Sequence, residues 1–209
     1  MIQIIPAIIA KDFKDLQGKI EKVEPYVEWA QIDVMDGQFV DNNTWNNPAD
    51  LKRLKTNLNL EVHLMLQEPE RVIDYWKSVG AKRLTVHFES TNQLAKVINR
   101  IKEANLEVGL AINPKTSIEV VDQFVSHLDL VLIMSVEPGY GGQEFLEGTL
   151  KKITSLRQKY SDIDIEVDGG INMKTAPLVI SAGANLLVSG KTIYNSSDIR
   201  KTIKELKGC

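Results

Sequence analysis

The feature that most restricts the fold is an alternation that runs the length of the chain. Eight short runs rich in Ile, Val and Leu cover residues 2–9, 29–34, 58–64, 83–87, 107–111, 128–134, 163–167 and 186–189. Short apolar runs without a polar face read as strands buried on both sides, as in a parallel sheet. Charged amphipathic stretches follow each of them, at 13–23, 48–54, 69–79, 92–104, 117–124, 149–160, 175–182 and 198–207. Eight such units predict an α/β chain folded as a (β/α)8 TIM barrel, with 1–209 as a single domain. An open sheet would leave edge strands or reverse its order midway. The glycine-rich piece at 139–142 follows the sixth strand, so it has neither the position nor the spacing of a dinucleotide-binding fingerprint.

Composition narrows the partners. Twenty-five Lys and Arg face 28 Asp and Glu, a formal charge of -3, and no basic cluster has the density of a phosphate-backbone reader. Nucleic acid and anionic membrane are therefore not expected. No apolar run approaches a membrane span, and the opening IIPAIIAKDF lacks the basic leader of a signal peptide. A cytoplasmic location is the default expectation. The single cysteine, Cys209, has no internal disulfide partner and is not expected to act as a nucleophile.

Polar residues gather where strands end. The second strand delivers Gln31, Asp33 and Met35 on one face, with Ile32 and Val34 on the other. The third brings His63 and Met65, the fourth His87 and Glu89, the sixth Met134 and Ser135, and the seventh Asp168. If Asp33 points into the mouth, Gln31 lies one layer deeper, and Asp168 arrives from nearly the opposite side. Two carboxylates facing each other beside an imidazole are costly to bury without a cation or a shared proton. A divalent metal on Asp33, His63 and Asp168 would remove that cost, and such N/O ligation suits Zn, Fe, Mn or Co. The alternative is that each carboxylate only bonds neighbouring loop N–H groups, which is the reading preferred for Asp36 in its Asp-Gly turn. His87 serves equally as a tie between strands, and His127, at the opposite strand end, reads as structural.

Glycines cluster after the last three strands, in PGYGGQ (138–143), DGG (168–170) and SGK (189–191). Any one alone is a turn. Three sets at adjacent exits of a barrel point to an anion site, because glycine lets backbone N–H groups approach a phosphate closely. Lys191 adds a charge beside them.

With these residues in place, the chain resembles the ribulose-phosphate 3-epimerase family over nearly its whole length. The pieces that carry the likeness are IIPAIIAKDF, QIDVMDGQFVDNNTW, EVHLMLQEPE, VHFES, VGLAINPKT, LVLIMSVEPGYGGQEF, IEVDGGI and SAGANLLVSGKTIY. The resemblance implies a barrel of the ribulose-phosphate-binding type that interconverts D-ribulose 5-phosphate and D-xylulose 5-phosphate. It implies that Asp33 and Asp168 are acid/base carboxylates that also hold a divalent metal with His63. It implies that Met35, Met65 and Met134 line the reaction centre and that Gly141, Gly142, Gly170, Gly190 and Lys191 grip the phosphate; His87, Gly139, Gln143 and Gly169 stand beside them as further substrate-binding candidates. The family commonly forms dimers or larger rings, so a homo-oligomer is an implied assembly.

The departures are specific. Gln31 stands where the family has a second metal-ligand histidine, Ala7 where it has serine, Gln38 where it has histidine, Asp41 where proline is usual, and Lys191 where serine is common. Gln31 offers an amide oxygen, a weaker ligand than imidazole. Two further readings stand beside the pentulose-phosphate epimerase. One is an epimerase of another ketose phosphate, such as a hexulose 6-phosphate. The other is a phosphosugar-binding barrel without catalysis, which the facing carboxylate pair argues against.

Overall fold

The computed structural model describes residues 1–208, so Cys209 lies outside the described residues. Eight strands pair in parallel and in chain order: β1 (Gln3–Ile8), β2 (Trp29–Met35), β3 (Asn59–Met65), β4 (Arg83–His87), β5 (Glu107–Ile112), β6 (Leu130–Met134), β7 (Asp164–Asp168) and β8 (Leu186–Ser189). β8 pairs with β1, which closes the barrel. The predicted (β/α)8 architecture is the observed one.

The connecting helices are less regular than the sequence pattern suggests. α1 (Phe13–Val23) starts cleanly, because the Asp12 side chain accepts from the Asp15 N–H at 2.8 Å. α2 (Ile73–Ser78), α3 (Leu94–Glu103), α4 (Thr149–Lys159) and α5 (Ala176–Ala182) follow β3, β4, β6 and β7. The crossovers after β2 and β5 are 3-10 segments, Pro48–Arg53 and Ile118–Gln123. The first buries only Leu51, too little apolar surface to hold an α-helix against the sheet. The second is crowded with β-branched Ile118, Val120 and Val121, which lose rotamer freedom in an α-helix. The helix expected at 69–79 begins as a 3-10 turn, Pro69–Arg71, before α2. A short helix, α6 (Lys191–Tyr194), precedes the closing α7 (Ile199–Leu206).

Strand alternation sorts side chains into two populations. Outward residues such as Ile32, Val34, Val62, Leu64, Val86 and Val167 join the apolar layer shared with the helices. The inward population is lopsided. β1, β5, β6 and β8 supply a separate apolar cluster that includes Ile5, Ala111, Leu132 and Val188. β2, β3, β4 and β7 supply buried polar groups instead, among them Gln31, Asp33, Glu61, His63, Thr85 and Glu166.

Below the mouth, Arg83 anchors this polar half. Its Nη1 donates to Glu61 at 3.0 Å and its Nε and Nη2 donate to Glu107 at 2.9 and 2.7 Å. Its guanidinium lies over the Trp29 ring, 4.2 Å from the centroid. Neighbouring carboxylates hold Arg83 protonated against its burial, while burial and the Glu61 charge push the Glu166 carboxyl well above the usual range. Burial thus favours the neutral form of Glu166, beside a Glu61 charge already paired with Arg83.

Gly109 of β5 shows how tightly this interior is filled. A Cβ there would collide with Thr85 Oγ1 and lie 2.9 Å from the Thr85 Cβ. Gly109→Ala should therefore destabilise the barrel by about 1–3 kcal/mol through overpacking. Combination with Thr85→Ala should recover part of the loss, read as a coupling energy from denaturation midpoints in a double-mutant cycle. Strictly additive losses would show that the two residues do not compete for one space.

Candidate active site

The ladder register assembles the site. Across β2 and β3, Asp33 pairs with His63 and Met35 with Met65; across β6 and β7, Met134 pairs with Asp168. Gln31 lies on the Asp33 face, one inward position deeper, and is fully buried. Its Nε2 donates to Asp33 Oδ1 and to Asp168 Oδ2, each at 2.8 Å, so one amide joins the two carboxylates across the barrel. His63 Nδ1 lies 3.1 Å from Asp33 Oδ1 and 3.7 Å from Asp168 Oδ2. Among the described residues, Gln31 Oε1 is buried with no hydrogen-bond partner.

Asp33, His63 and Asp168 each offer one ligand atom, and these atoms lie within 4.8 Å of one another. Two carboxylate oxygens, an imidazole nitrogen and a nearby unpartnered amide oxygen form a donor set that fits a divalent ion.

His87 is placed differently from the cavity residues. It sits behind His63, with the two rings stacked at 4.9 Å and their Nε2 atoms 2.8 Å apart. The Phe39 ring covers it at 4.9 Å. One of the two Nε2 atoms must carry the proton that the other accepts. When His63 Nδ1 presents its lone pair to the carboxylate side, its Nε2–H donates to His87, whose Nδ1 faces Glu89 Oε2 at 3.5 Å. Such a carboxylate–imidazole chain fixes the orientation of a ligating ring.

Burial dominates the electrostatics. It raises the Asp33 carboxyl to about 7, against the lowering effect of the Gln31 bond. It raises Asp168 to about 7 as well, reinforced by the Asp33 charge and opposed by His63 and Gln31. Burial lowers His63 below the usual imidazole range and His87 to about 4. Near neutral pH both rings are uncharged, and the carboxyl pair loses its protons in two coupled steps.

Above this group opens a cavity of about 630 Å³. Asp33, Asp168, Met35, Met65 and Met134 line its floor, together with Ala7. Gly139, Gly141, Gly142 and Gln143 after β6, Gly169 and Gly170 after β7, and Gly190 and Lys191 after β8 line its wall. Gly170 has φ 65° and a Cβ there would lie 2.8 Å from the Phe145 backbone nitrogen, so glycine is required. Among the described residues, the N–H groups of Gly142, Gly170, Gly190 and Lys191 donate to no backbone carbonyl. The Lys191 side chain lies along Gly142.

Gln143 spends its amide on the carbonyls of Glu137 and Tyr140, bracing its own loop. Asp36 makes the expected turn, accepting from the N–H groups of Gln38, Phe39 and Gln67. His127 is exposed in a 3-10 turn, Val125–His127. Strand-end patterning does not single out Ser189 and Thr192, whose hydroxyls both donate to the Ile171 carbonyl and tie the β7 and β8 loops together. Lys19 also lines the cavity, from α1 rather than from a strand exit.

The closed barrel and the carboxyl pair at its mouth define a (β/α)8 barrel with groups able to carry protons, and the family it matches is one of isomerases. A sequence profile of the Ribulose-phosphate 3 epimerase family matches residues 3–194, and the chain belongs to that family. It is 43% identical over 216 residues to ribulose-phosphate 3-epimerase of Bacillus subtilis (strain 168), covering 100% of this chain and 99% of that one. It is 38% identical over 211 residues to ribulose-phosphate 3-epimerase of Schizosaccharomyces pombe, covering 98% and 92%. The fold is also shared with KGPDC from Streptococcus mutans, at a TM-score of 0.76, 13% identity and coverage of 100% and 96%.

The carboxyl shifts carry a stability consequence. A carboxyl that titrates at about 7 when folded and at 3.8 when unfolded stabilises the fold below the lower value. That contribution is lost as pH rises through the upper value. The buried imidazoles act in the opposite sense, so the clean readout is a difference between proteins. In chelator-treated protein, Asp168→Asn should gain melting temperature over the wild type as pH rises from about 4.5 to about 8, by roughly 3–6 °C. A difference that stays flat across this range would contradict a raised Asp168.

Proposed function

We propose that the chain epimerises C3 of a ketose phosphate, interconverting D-ribulose 5-phosphate and D-xylulose 5-phosphate. The observation that carries this is the Asp33–Asp168 pair, facing across the barrel floor with both carboxyls held at about 7. Inversion at carbon needs a base on one face and an acid on the other. One carboxylate accepts the C3 proton while the other, protonated, returns a proton to the opposite face. The reverse reaction exchanges their roles, so both must be able to hold and release a proton near neutral pH.

A divalent ion (Zn, Fe, Mn or Co) held by Asp33, His63 and Asp168 would supply Lewis-acid stabilisation of the charge that develops on the sugar oxygens. The chain's own residues do the rest. Met35, Met65 and Met134 are each nearly buried and surround the reacting carbon with apolar, polarisable surface that excludes water. The free N–H groups of Gly142, Gly170, Gly190 and Lys191, with the Lys191 ammonium, bind the phosphate and orient the sugar. Ala7 leaves the floor beside Gln31 without the hydroxyl that serine would place there. A sugar phosphate is accordingly the proposed partner, and the cytoplasm the proposed compartment.

Incubation with D-ribulose 5-phosphate in heavy water, followed by proton NMR, tests this. Xylulose 5-phosphate should form with deuterium at C3, and Asp33→Asn or Asp168→Asn should each slow epimerisation by about 10²–10⁴-fold. Absence of C3 exchange with any of the four ions would overturn the assignment. Exchange confined to a hexulose 6-phosphate would transfer it to that substrate, and phosphosugar binding without exchange would leave a binding barrel. Gly170→Ala should raise KM by about 10-fold or more, with a smaller effect on kcat, because the displaced loop weakens phosphate binding. An equal fall in kcat at constant KM would remove Gly170 from the phosphate grip.

A further inference from the structure

We propose that Gln31 is an amide latch: with no ion bound its NH2 group holds Asp33 and Asp168 together, and arrival of a divalent ion is coupled to turning the amide over so that Oε1 faces the ion. This rests on the reading of Asp33, His63 and Asp168 as the ion's ligands.

The residue is unusual in how its two ends are used. Both amide hydrogens are committed, one to each carboxylate at 2.8 Å, while Oε1 is buried without a partner. His63 Nδ1 lies 3.4 Å from the same nitrogen, so the donor end faces all three prospective ligands. A neutral NH2 with two hydrogens can bridge two carboxylates, which is the task a cation would otherwise perform. An imidazole in this place has one hydrogen on any one nitrogen and can bridge only one carboxylate at a time.

With both carboxylates ionised and no ion bound, the opposite orientation is disfavoured. It would aim Oε1, an acceptor, at two carboxylates that are themselves acceptors. With a cation between them the preference inverts: the carboxylates turn their lone pairs to the metal, and an NH2 pointing at it is repelled. Oε1 then becomes the useful end, because its lone pairs can face the ion. Orientation of the Gln31 amide therefore follows occupancy. The exchange makes the ion-free protein stable on its own and makes ion binding weaker than an imidazole would allow, because the two amide–carboxylate bonds must be broken first.

The test uses the full-length chain, stripped with chelator and titrated with Zn²⁺ in the absence of sugar, so its result does not depend on epimerase activity. Gln31→His should bind Zn²⁺ about 10-fold or more tighter than the wild type, while its ion-free form melts a few degrees lower. Gln31→Leu should lose on both counts, with a lower ion-free melting temperature and weaker Zn²⁺ binding. In the wild type itself, ¹H–¹⁵N spectra of ion-free protein should contain one strongly protected side-chain NH2 pair that is missing from Gln31→His. Zn²⁺ should remove that protection. A pair that stays protected with Zn²⁺ bound, or Zn²⁺ affinity and ion-free stability unchanged in both variants, would overturn the latch. Failure of the epimerase reading would appear instead as absent C3 exchange, with these results intact.

Discussion

A closed barrel of parallel strands sends half of every strand's side chains into a column walled by backbone, and water has no room there. Whatever occupies that column must satisfy itself. In this protein the constraint is met unevenly. Strands β1, β5, β6 and β8 contribute mostly Ile, Leu, Val and Ala, while β2, β3, β4 and, from across the barrel, β7 carry nearly all of the buried charge and imidazole. The site is the upper end of this polar set, which spans the barrel from β2–β4 to β7. Its groups are bonded to one another because nothing else is within reach, and this mutual dependence brings a carboxylate from β7 to the same amide as one from β2.

The same confinement explains why the carboxyls are poised and the imidazoles are not. All four groups are desolvated, yet desolvation opposes the charged form of each, raising acids and lowering bases. Asp33 and Asp168 are thereby moved toward neutral pH, while His63 and His87 are moved away from it. The contrast between carboxyls moved toward neutral pH and rings held neutral follows from burial acting on two kinds of group.

Much of this is legible in the sequence. Alternation in β2 and β3 is enough to put Gln31, Asp33 and His63 on inward faces, and the register that joins Asp33 to His63 follows from equal strand levels. The glycines after β6, β7 and β8 likewise converge on one wall because adjacent strands end side by side. His87 shows the limit. It stands at a strand exit like the others, but whether such a residue meets the cavity depends on what lies before it, here His63 and Phe39. Lys19 is not legible because it reaches the rim from a helix face, where a lysine is ordinarily solvated. The 3-10 crossovers read as α-helices in the sequence because apolar spacing alone does not register β-branching or how little surface a segment buries. The Gln31 bridge is beyond reach, since it depends on which end of one amide meets two residues from distant parts of the chain.

The Arg83 layer also decides how the molecule communicates with solvent. With Glu61 and Glu166 fully buried above the lower strand ends and Trp29 stacked on the guanidinium, the polar column is stoppered at its base. The cavity opens at the C-terminal ends of the strands, so whatever reaches the carboxyl pair enters there. In the proposed reaction, a proton taken from the sugar would face bulk water only past the molecule it came from. Its residence on the enzyme is therefore tied to how long the occupant stays.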